Sequence, residues 1–367
     1  MKKLANKAVL FFYIVLALFR RQRSGAPKKF LVIDTLRLGD VIMSTPILKA
    51  IKEKYPESRV SVLVRPTIGD ILKGNPFIDE IMPYEKEMDI TRLIRGLRKK
   101  KFYICINLCE GKLNSTIYAA GIPVRIGYIQ KHKYRDRFLL THPLRWTGDF
   151  KGMPALFAKL LEPLGIVETN TELTLYPDAE DINFVRRLIP CSHKNLKIII
   201  HPGGRNLTRR WPYYRELIPD INKKFDACII LTGDNNELQL VNNIIDGLDG
   251  INIVNLVGKT TLKQLVALCS IADIVIGNDT GILHLARAVK TPTITIFGPE
   301  DPKITGNTNT KDIQVFIDVP CKTDMTYFGI TIPDVRRCKK EVCESHICMK
   351  DITPEMVFKE IQKVVES

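Results

Sequence analysis

The sequence predicts an α/β protein built from two open, mostly parallel sheets. Three observations carry that. Apolar, strand-like runs alternate with helical patterns in two successive series. A polar stretch containing Pro177 and Pro190 separates the series. At 367 residues the chain also exceeds what one ordinary core accommodates. Strands that alternate with helices return parallel through right-handed crossovers, so each series is expected to close as one sheet.

The first series starts after a basic, proline-containing linker. Residues 30–34 read as a strand, 41–55 as a helix ending near Pro56, and 59–64 as a second strand. A strand at 80–84, a basic helix at 91–101 and a strand at 103–108 continue the alternation. The pattern loosens from about Thr171 to Asn195. A fresh strand at 197–201 opens the second series, followed by strands at 227–232, 252–257, 273–276 and 292–297. A helix is expected at 282–289 and a last one at 354–365. The expected organisation is a segment 1–26, a first domain 27–180, a linker 181–196, a second domain 197–352 and a closing segment 353–367.

Composition narrows the function. The chain is 45% hydrophobic and 26% charged, values of a globular protein. A net charge of +15 favours acidic partners: nucleic acid, anionic lipid or phosphorylated small molecules. No nucleic-acid-binding signature accompanies it. Lys2, Lys3 and Lys7 precede an apolar run at 8–19, and Arg20, Arg21 and Arg23 follow. That run is too short to span a bilayer, which takes about 20 residues. Its basic flanks suit a helix on an anionic membrane surface; a helix packed on the protein itself and an export signal are the alternatives.

Of nine cysteines, Cys105, Cys191, Cys228 and Cys269 are scattered and read as small buried apolar side chains. Cys321, Cys338, Cys343 and Cys348 cluster near the C-terminus without the close pairs of common zinc sites. They read as a local staple, as free thiols or as a disulfide, with a metal site as the alternative.

The chemistry concentrates in turns that follow strands. Gly277-Asn278-Asp279-Thr280-Gly281 joins an apolar strand to a helix. The first N–H groups of a helix lack internal partners and carry partial positive charge, which makes such a turn a phosphate seat. The bland alternative is a capped helix with a core-facing His284. Asp40 likewise follows a strand, and spacing alone makes it the N-cap of a helix starting at Val41. Trp211-Pro212 reads as packing and a helix start.

These turns carry a family resemblance. Asn278-Asp279-Thr280-Gly281 with His284 and Ala286, then Phe297-Gly298-Pro299, resembles the signature of family 9 glycosyltransferases, the heptosyltransferases of lipopolysaccharide core assembly. Arg37-Leu38-Gly39-Asp40-Val41 with Thr45-Pro46, His201-Pro202-Gly203 with Arg210-Trp211-Pro212, and the segment from Val257 to Leu262 resemble other family segments in the same order. The likeness runs from about Phe30 to the C-terminus.

The resemblance implies a GT-B fold, two Rossmann-like domains facing a central cleft, with the last helix packing back toward the first. It implies inverting, metal-independent transfer of a heptose from ADP-heptose to a lipopolysaccharide core acceptor. The nucleotide-sugar is a cosubstrate, with no other cofactor and no metal. Asp40 is the implied catalytic base. An aspartate is a weak base at its ordinary pKa of about 3.9, which burial would raise and a neighbouring Arg37 would lower. Gly203, Thr208, Arg209, Glu237, Asp279, Thr280, Gly281 and His284 are the implied donor-binding residues, Glu237 toward the ribose. Arg209 stands where relatives usually carry a lysine, keeping the charge and adding a fork. Arg37, Lys133, Arg135 and Arg137 are expected to bind acceptor, or to form a solvated basic loop. The implied protein is a monomer that binds no nucleic acid. It works on the cytoplasmic membrane's inner face, on lipopolysaccharide or a lipid-linked glycan.

Transfer of another sugar in core, O-antigen or capsule synthesis is the nearest rival. A non-catalytic nucleotide-sugar or glycan binder is a rival of another class. A nicotinamide oxidoreductase is disfavoured because neither domain's first strand leads into Gly-x-Gly-x-x-Gly.

Overall fold

A computed structural model describes residues 29–109, 111, 113–129, 134–146, 151–192, 195–305, 311–327 and 330–366. The expected membrane-surface segment 1–26 lies outside them, as do His132 and Lys133 of the basic loop. Among the described residues, no helix is long and apolar enough to cross a membrane. The chain divides into two compact units. One holds residues up to Glu172 with Thr326–Ile332; the other holds Leu173–Met325 and the chain from Pro333.

The first unit carries a six-stranded parallel sheet of β1 (Lys29–Asp34), β2 (Arg59–Val64), β3 (Glu80–Pro83), β4 (Ile104–Asn107), β5 (Val124–Tyr128) and β6 (His142–Leu144). Their spatial order is β3-β2-β1-β4-β5-β6. Phe30 pairs with Val60 on one side and Ile104 on the other. Residues 30 to 34 are all buried, as a central parallel strand covered on both faces requires.

The helix expected over 41–55 is two helices, α1 (Leu38–Met43) and α2 (Thr45–Lys54). Proline has no N–H to offer Ile42 O, and the Thr45 hydroxyl takes that acceptor at 2.7 Å. The basic helix α3 (Ile90–Lys100) is capped by Asp89, whose side chain accepts Thr91 N–H at 2.9 Å, and ends at Lys101 in the left-handed region.

The second unit opens with helix α4 (Ala179–Leu188), so half of the expected linker is helical and the unit boundary lies earlier, at Leu173. Its six-stranded parallel sheet contains β7 (Leu196–His201), β8 (Ala227–Leu231), β9 (Ile253–Asn255), β10 (Ile274–Asn278), β11 (Thr293–Phe297) and β12 (Asp312–Phe316). They lie in the order β12-β11-β10-β7-β8-β9. Ile276 pairs with Ile200 and with Ile294. Helix α5 (Tyr214–Lys224), helix α6 (Gly281–Ala288) and the C-terminal α7 (Pro354–Glu366) belong to this unit. Val357 and Ile361 of α7 sit in the same core as Leu217 and Ile221 of α5. The apolar stripe of α7 is thus buried in the second unit's core.

Cys105 and Cys269 are buried thiols as expected. Cys191 and Cys228 are not separate apolar side chains. They form a disulfide across a Cα separation of 6.2 Å, joining the chain after α4 to β8.

Candidate active site

Each strand order reverses direction once, between β1 and β4 and between β7 and β10. Ligands of open α/β sheets bind beyond the carboxyl ends of the strands at that reversal. The loops after β1, β7 and β10 hold most of the residues the sequence singled out.

In the first unit, the chain leaves β1 at Asp34 and enters α1. Asp40 is not the N-cap. It is the third residue of α1, and its Oδ2 accepts the backbone N–H of Arg37 at 3.1 Å. This closes the loop over one turn and suits a carboxylate to the helix's positive end. Asp40 is partly exposed and Arg37 exposed. The Arg65 guanidinium donates to Leu36 O and fixes the loop from behind.

Below the loop lies a residue that sequence reasoning missed. Asp34 is fully buried; its Oδ1 accepts Leu36 N–H at 3.3 Å, and its Oδ2 has no partner. Burial raises its carboxyl from 3.8 to about 7, and the charge of Asp40 adds to the rise. An acidic residue closing an otherwise apolar strand is the signal that marks it.

The second unit builds a tighter constellation. Asn278, buried at the end of β10, uses its whole amide. Its Oδ1 accepts Trp211 N–H at 3.0 Å and the Tyr214 hydroxyl at 2.9 Å. Its Nδ2 donates to Pro202 O at 2.9 Å and Gly203 O at 2.8 Å. One side chain thus locks the turn after β7 to the turn after β10. Trp211 is packing, as expected, with Nε1 on Ile352 O at 2.7 Å; Pro212 precedes α5, whose first residue is Tyr214.

Glu237 is buried, and its carboxylate accepts Gly204 N–H at 2.5 Å and Asp234 N–H at 3.0 Å. A Cβ on Gly203 would overlap that carboxylate, and Gly204 adopts φ +147°, so both glycines are needed for the close approach. Thr208 lies buried in a short turn capped by Asn206, whose Oδ1 accepts the Thr208 hydroxyl at 2.8 Å.

Arg209 is the hub. Its Nη1 donates to Asp279 Oδ2 at 2.9 Å and Asp279 O at 3.2 Å; its Nη2 donates to Glu300 Oε1 at 2.6 Å. The other Asp279 oxygen accepts the Thr305 hydroxyl at 3.0 Å. Glu300 and Thr305 were not among the expected residues; an acid directly after the Gly298-Pro299 turn is the signal for the former. Thr280 is the N-cap of α6, and its hydroxyl is buried without a protein partner, beside Gly281 at the positive end of the helix. Such a pairing of a cation, free helix N–H groups and an unused hydroxyl suits an anionic oxygen.

His284 is buried with its Nδ1 3.4 Å from Arg287 Nη1. Burial first, then the Arg287 charge, pushes its pKa down to about 3, so the ring is neutral. Arg287 itself is spent on Thr295 Oγ1 at 2.8 Å and Thr305 O at 2.9 Å.

Arg137 is exposed on the helix Tyr134–Leu139; the backbone places Arg135 on the same helix. Among the described residues, no group of three or more His, Cys, Asp or Glu side chains is arranged to hold a metal ion.

Residues 90–328 match the model of a family described as glycosyltransferase family 9 (heptosyltransferase). The chain is 27% identical over 278 residues to lipopolysaccharide heptosyltransferase 3 of Escherichia coli K12, covering 72% of this chain and 80% of that one. It is 27% identical over 303 residues to the lipopolysaccharide core heptosyltransferase OpsX of Haemophilus influenzae, covering 80% and 85%. The structure of E. coli ADP-heptose lps heptosyltransferase II superposes with a TM-score of 0.74 at 22% identity, over 92% of this chain and 98% of that one. That likeness shows the GT-B fold. With its model spanning well over half of the chain, the family is settled: the protein belongs to glycosyltransferase family 9 and is a glycosyltransferase.

Proposed function

We propose that this enzyme moves a heptose from ADP-heptose to a lipopolysaccharide-core acceptor, inverting the anomeric carbon without a metal on the diphosphate. The observation that carries the reading is the anion seat of Arg209, Thr280 and Gly281 at the N-terminus of α6. The names of the relatives supply the sugar and the acceptor class.

In this reading the acceptor hydroxyl attacks the anomeric carbon while Asp40 takes its proton. ADP leaves with its charge held by Arg209 and the α6 N–H groups. Asp279 and Glu300 hold the guanidinium until the diphosphate competes for it. Thr208 and Gly203 shape the loop, Glu237 offers its remaining lone pairs to the ribose, and neutral His284 supports α6. Arg37, Lys133, Arg135 and Arg137 meet the acceptor's anionic groups. The basic segment 1–26 rests on the inner face of the cytoplasmic membrane, and the enzyme acts as a monomer.

The test is a mass-spectrometric transfer assay with a chelator present. ADP-heptose, UDP-sugars and GDP-sugars are offered in parallel to heptose-deficient lipopolysaccharide. Gain of one heptose mass from ADP-heptose alone is expected. Gain from another donor would replace the sugar and keep the site. Donor binding with no transfer to this acceptor would sink the acceptor assignment.

A further inference from the structure

Arg209 and Arg210 are neighbours in the chain, and their guanidinium groups are used in opposite ways. Arg209 spends both terminal nitrogens, on Asp279 and on Glu300. Arg210 is held through Nε alone, which donates to Gly204 O at 2.9 Å. Among the described residues, neither terminal nitrogen of Arg210 has a hydrogen-bond acceptor. A guanidinium carries five N–H donors, so most of its donors remain for a ligand. The side chain is 28% exposed, which leaves them within a ligand's reach.

The charge facing Arg210 is the buried carboxylate of Glu237. Nη2 lies 3.8 Å from Glu237 Oε1, beyond the reach of a direct hydrogen bond. One residue fixes both groups. Gly204 donates its N–H to Glu237 Oε1 at 2.5 Å, and its carbonyl accepts Arg210 Nε. Glycines also close in on the carboxylate: a Cβ on Gly203 would overlap it, and a Cβ on Gly233 would stand 2.8 Å from Oε2. The gap between cation and anion is therefore set by the backbone of the turn.

A ligand atom that bridges this gap has to accept from the cation and donate to the anion. An alcohol oxygen does both. A phosphate oxygen has no proton to give Glu237 and meets its charge. An ammonium has no lone pair for Arg210. Each bond to the alcohol is charge-assisted, so the pair selects strongly for a hydroxyl.

We propose that Arg210 is a specificity-determining residue of the donor site, which with Glu237 binds one hydroxyl of the nucleotide's ribose. The hydroxyl donates to Glu237 Oε1 and accepts from Arg210 Nη2. The proposal rests on the assignment of Glu237 to the ribose and gives that contact its second partner. A nucleotide lacking the hydroxyl leaves an anion and a cation without their bridge, which penalises it more than the loss of one neutral hydrogen bond would.

The full chain is titrated with ADP, 2′-deoxy-ADP and 3′-deoxy-ADP. The unmodified protein should prefer ADP to one of the two analogues by about thirty-fold, and Arg210→Gln should cut that preference to about five-fold. The preference is a ratio within one preparation, so a partly unfolded variant does not alter it. Arg210→Lys keeps the charge without the fork; it reaches Gly204 O or the hydroxyl but not both, and should fall between the two. An Arg210→Gln loss that is equal for all three nucleotides overturns the proposal, because the arginine then serves the diphosphate or the fold. A preference lowered by Glu237→Gln and untouched by Arg210→Gln also overturns it, while leaving the ribose assignment of Glu237 in place. Unmodified protein that binds ADP without preferring it to either analogue removes that assignment and the proposal together.

Discussion

The ends of β1 and β10 both lie beside the reversal in their sheets, yet they use acidic residues in opposite ways. At β10 every carboxylate has a cation or a donor: Asp279 takes Arg209 and Thr305, and Glu300 takes Arg209 again. At β1, Asp34 is buried with one oxygen unpartnered, and Asp40 is set at a helix start and partly exposed. Paired carboxylates hold a cation in place. Burial raises the Asp34 carboxyl to about 7, so that group can hold or release a proton near neutrality. In the proposed reaction this contrast would leave proton chemistry to the first unit and charge-holding to the second, a division the following variants test.

The strongest way to break this contrast is Asp40→Asn. If the first unit supplies the base, transfer falls on the order of 10³-fold while ADP affinity measured by titration stays put. Equal losses in both would put Asp40 in binding and erase the division of labour. Next comes Asp34→Asn. The native carboxyl keeps its proton up to about pH 7, whereas the unfolded one loses it near 3.8. The folded state therefore binds more protons in that window, and wild-type stability falls as pH rises through it. An amide does not titrate. Relative to wild type, the variant should gain on the order of 3 kcal/mol between pH 5 and pH 8, read from denaturant unfolding. A pH-independent difference would mean that Asp34 is paired after all.

In the second unit the comparison sharpens at Asn278. Asn278→Ala leaves the Tyr214 hydroxyl, the Trp211 N–H and two carbonyls without their partner. The expected cost is about 2 kcal/mol of stability in unfolding experiments, with donor affinity falling as the two turns decouple. A loss of stability with unchanged ADP binding would show that the turns hold their places independently.

The two ends also differ in how far they could be read from sequence. The buried strands were legible because parallel strands covered on both faces must be apolar throughout, as residues 30–33 and 198–200 are. The turn at Asp279-Thr280-Gly281 was legible for a similar reason: a helix start after such a strand has few designs. Asp34 was not, because its role depends on burial and on a missing partner, neither of which spacing reveals. Nor was Glu300, which meets Arg209 across 91 residues of chain. The Cys191–Cys228 bond hid in the same way, across 37 residues. The break in the helix after Asp40 was written in Pro46, but the Thr45 hydroxyl that completes it emerges only in three dimensions.

The smallest expected effect is also the finest test of the second unit. Arg209 forks between two carboxylates, one on each terminal nitrogen. A lysine in its place keeps the charge and loses the fork, so it can satisfy Asp279 or Glu300 but not both in the same geometry. If the guanidinium is passed from these carboxylates to the diphosphate, Arg209→Lys alters both sides of that exchange. The free enzyme loses a hydrogen bond and so does the bound one, and the losses largely cancel. ADP affinity should drop by only about five-fold, or ~1 kcal/mol. Arg209→Ala removes the exchange outright and should cost more, because Asp279 and Glu300 then face the incoming phosphate with uncompensated charge. The double change Arg209→Ala with Glu300→Gln should therefore recover part of the affinity. Recovery would show that Glu300 competes with the donor for one cation; its absence would make Glu300 a structural anchor and leave Arg209 permanently engaged.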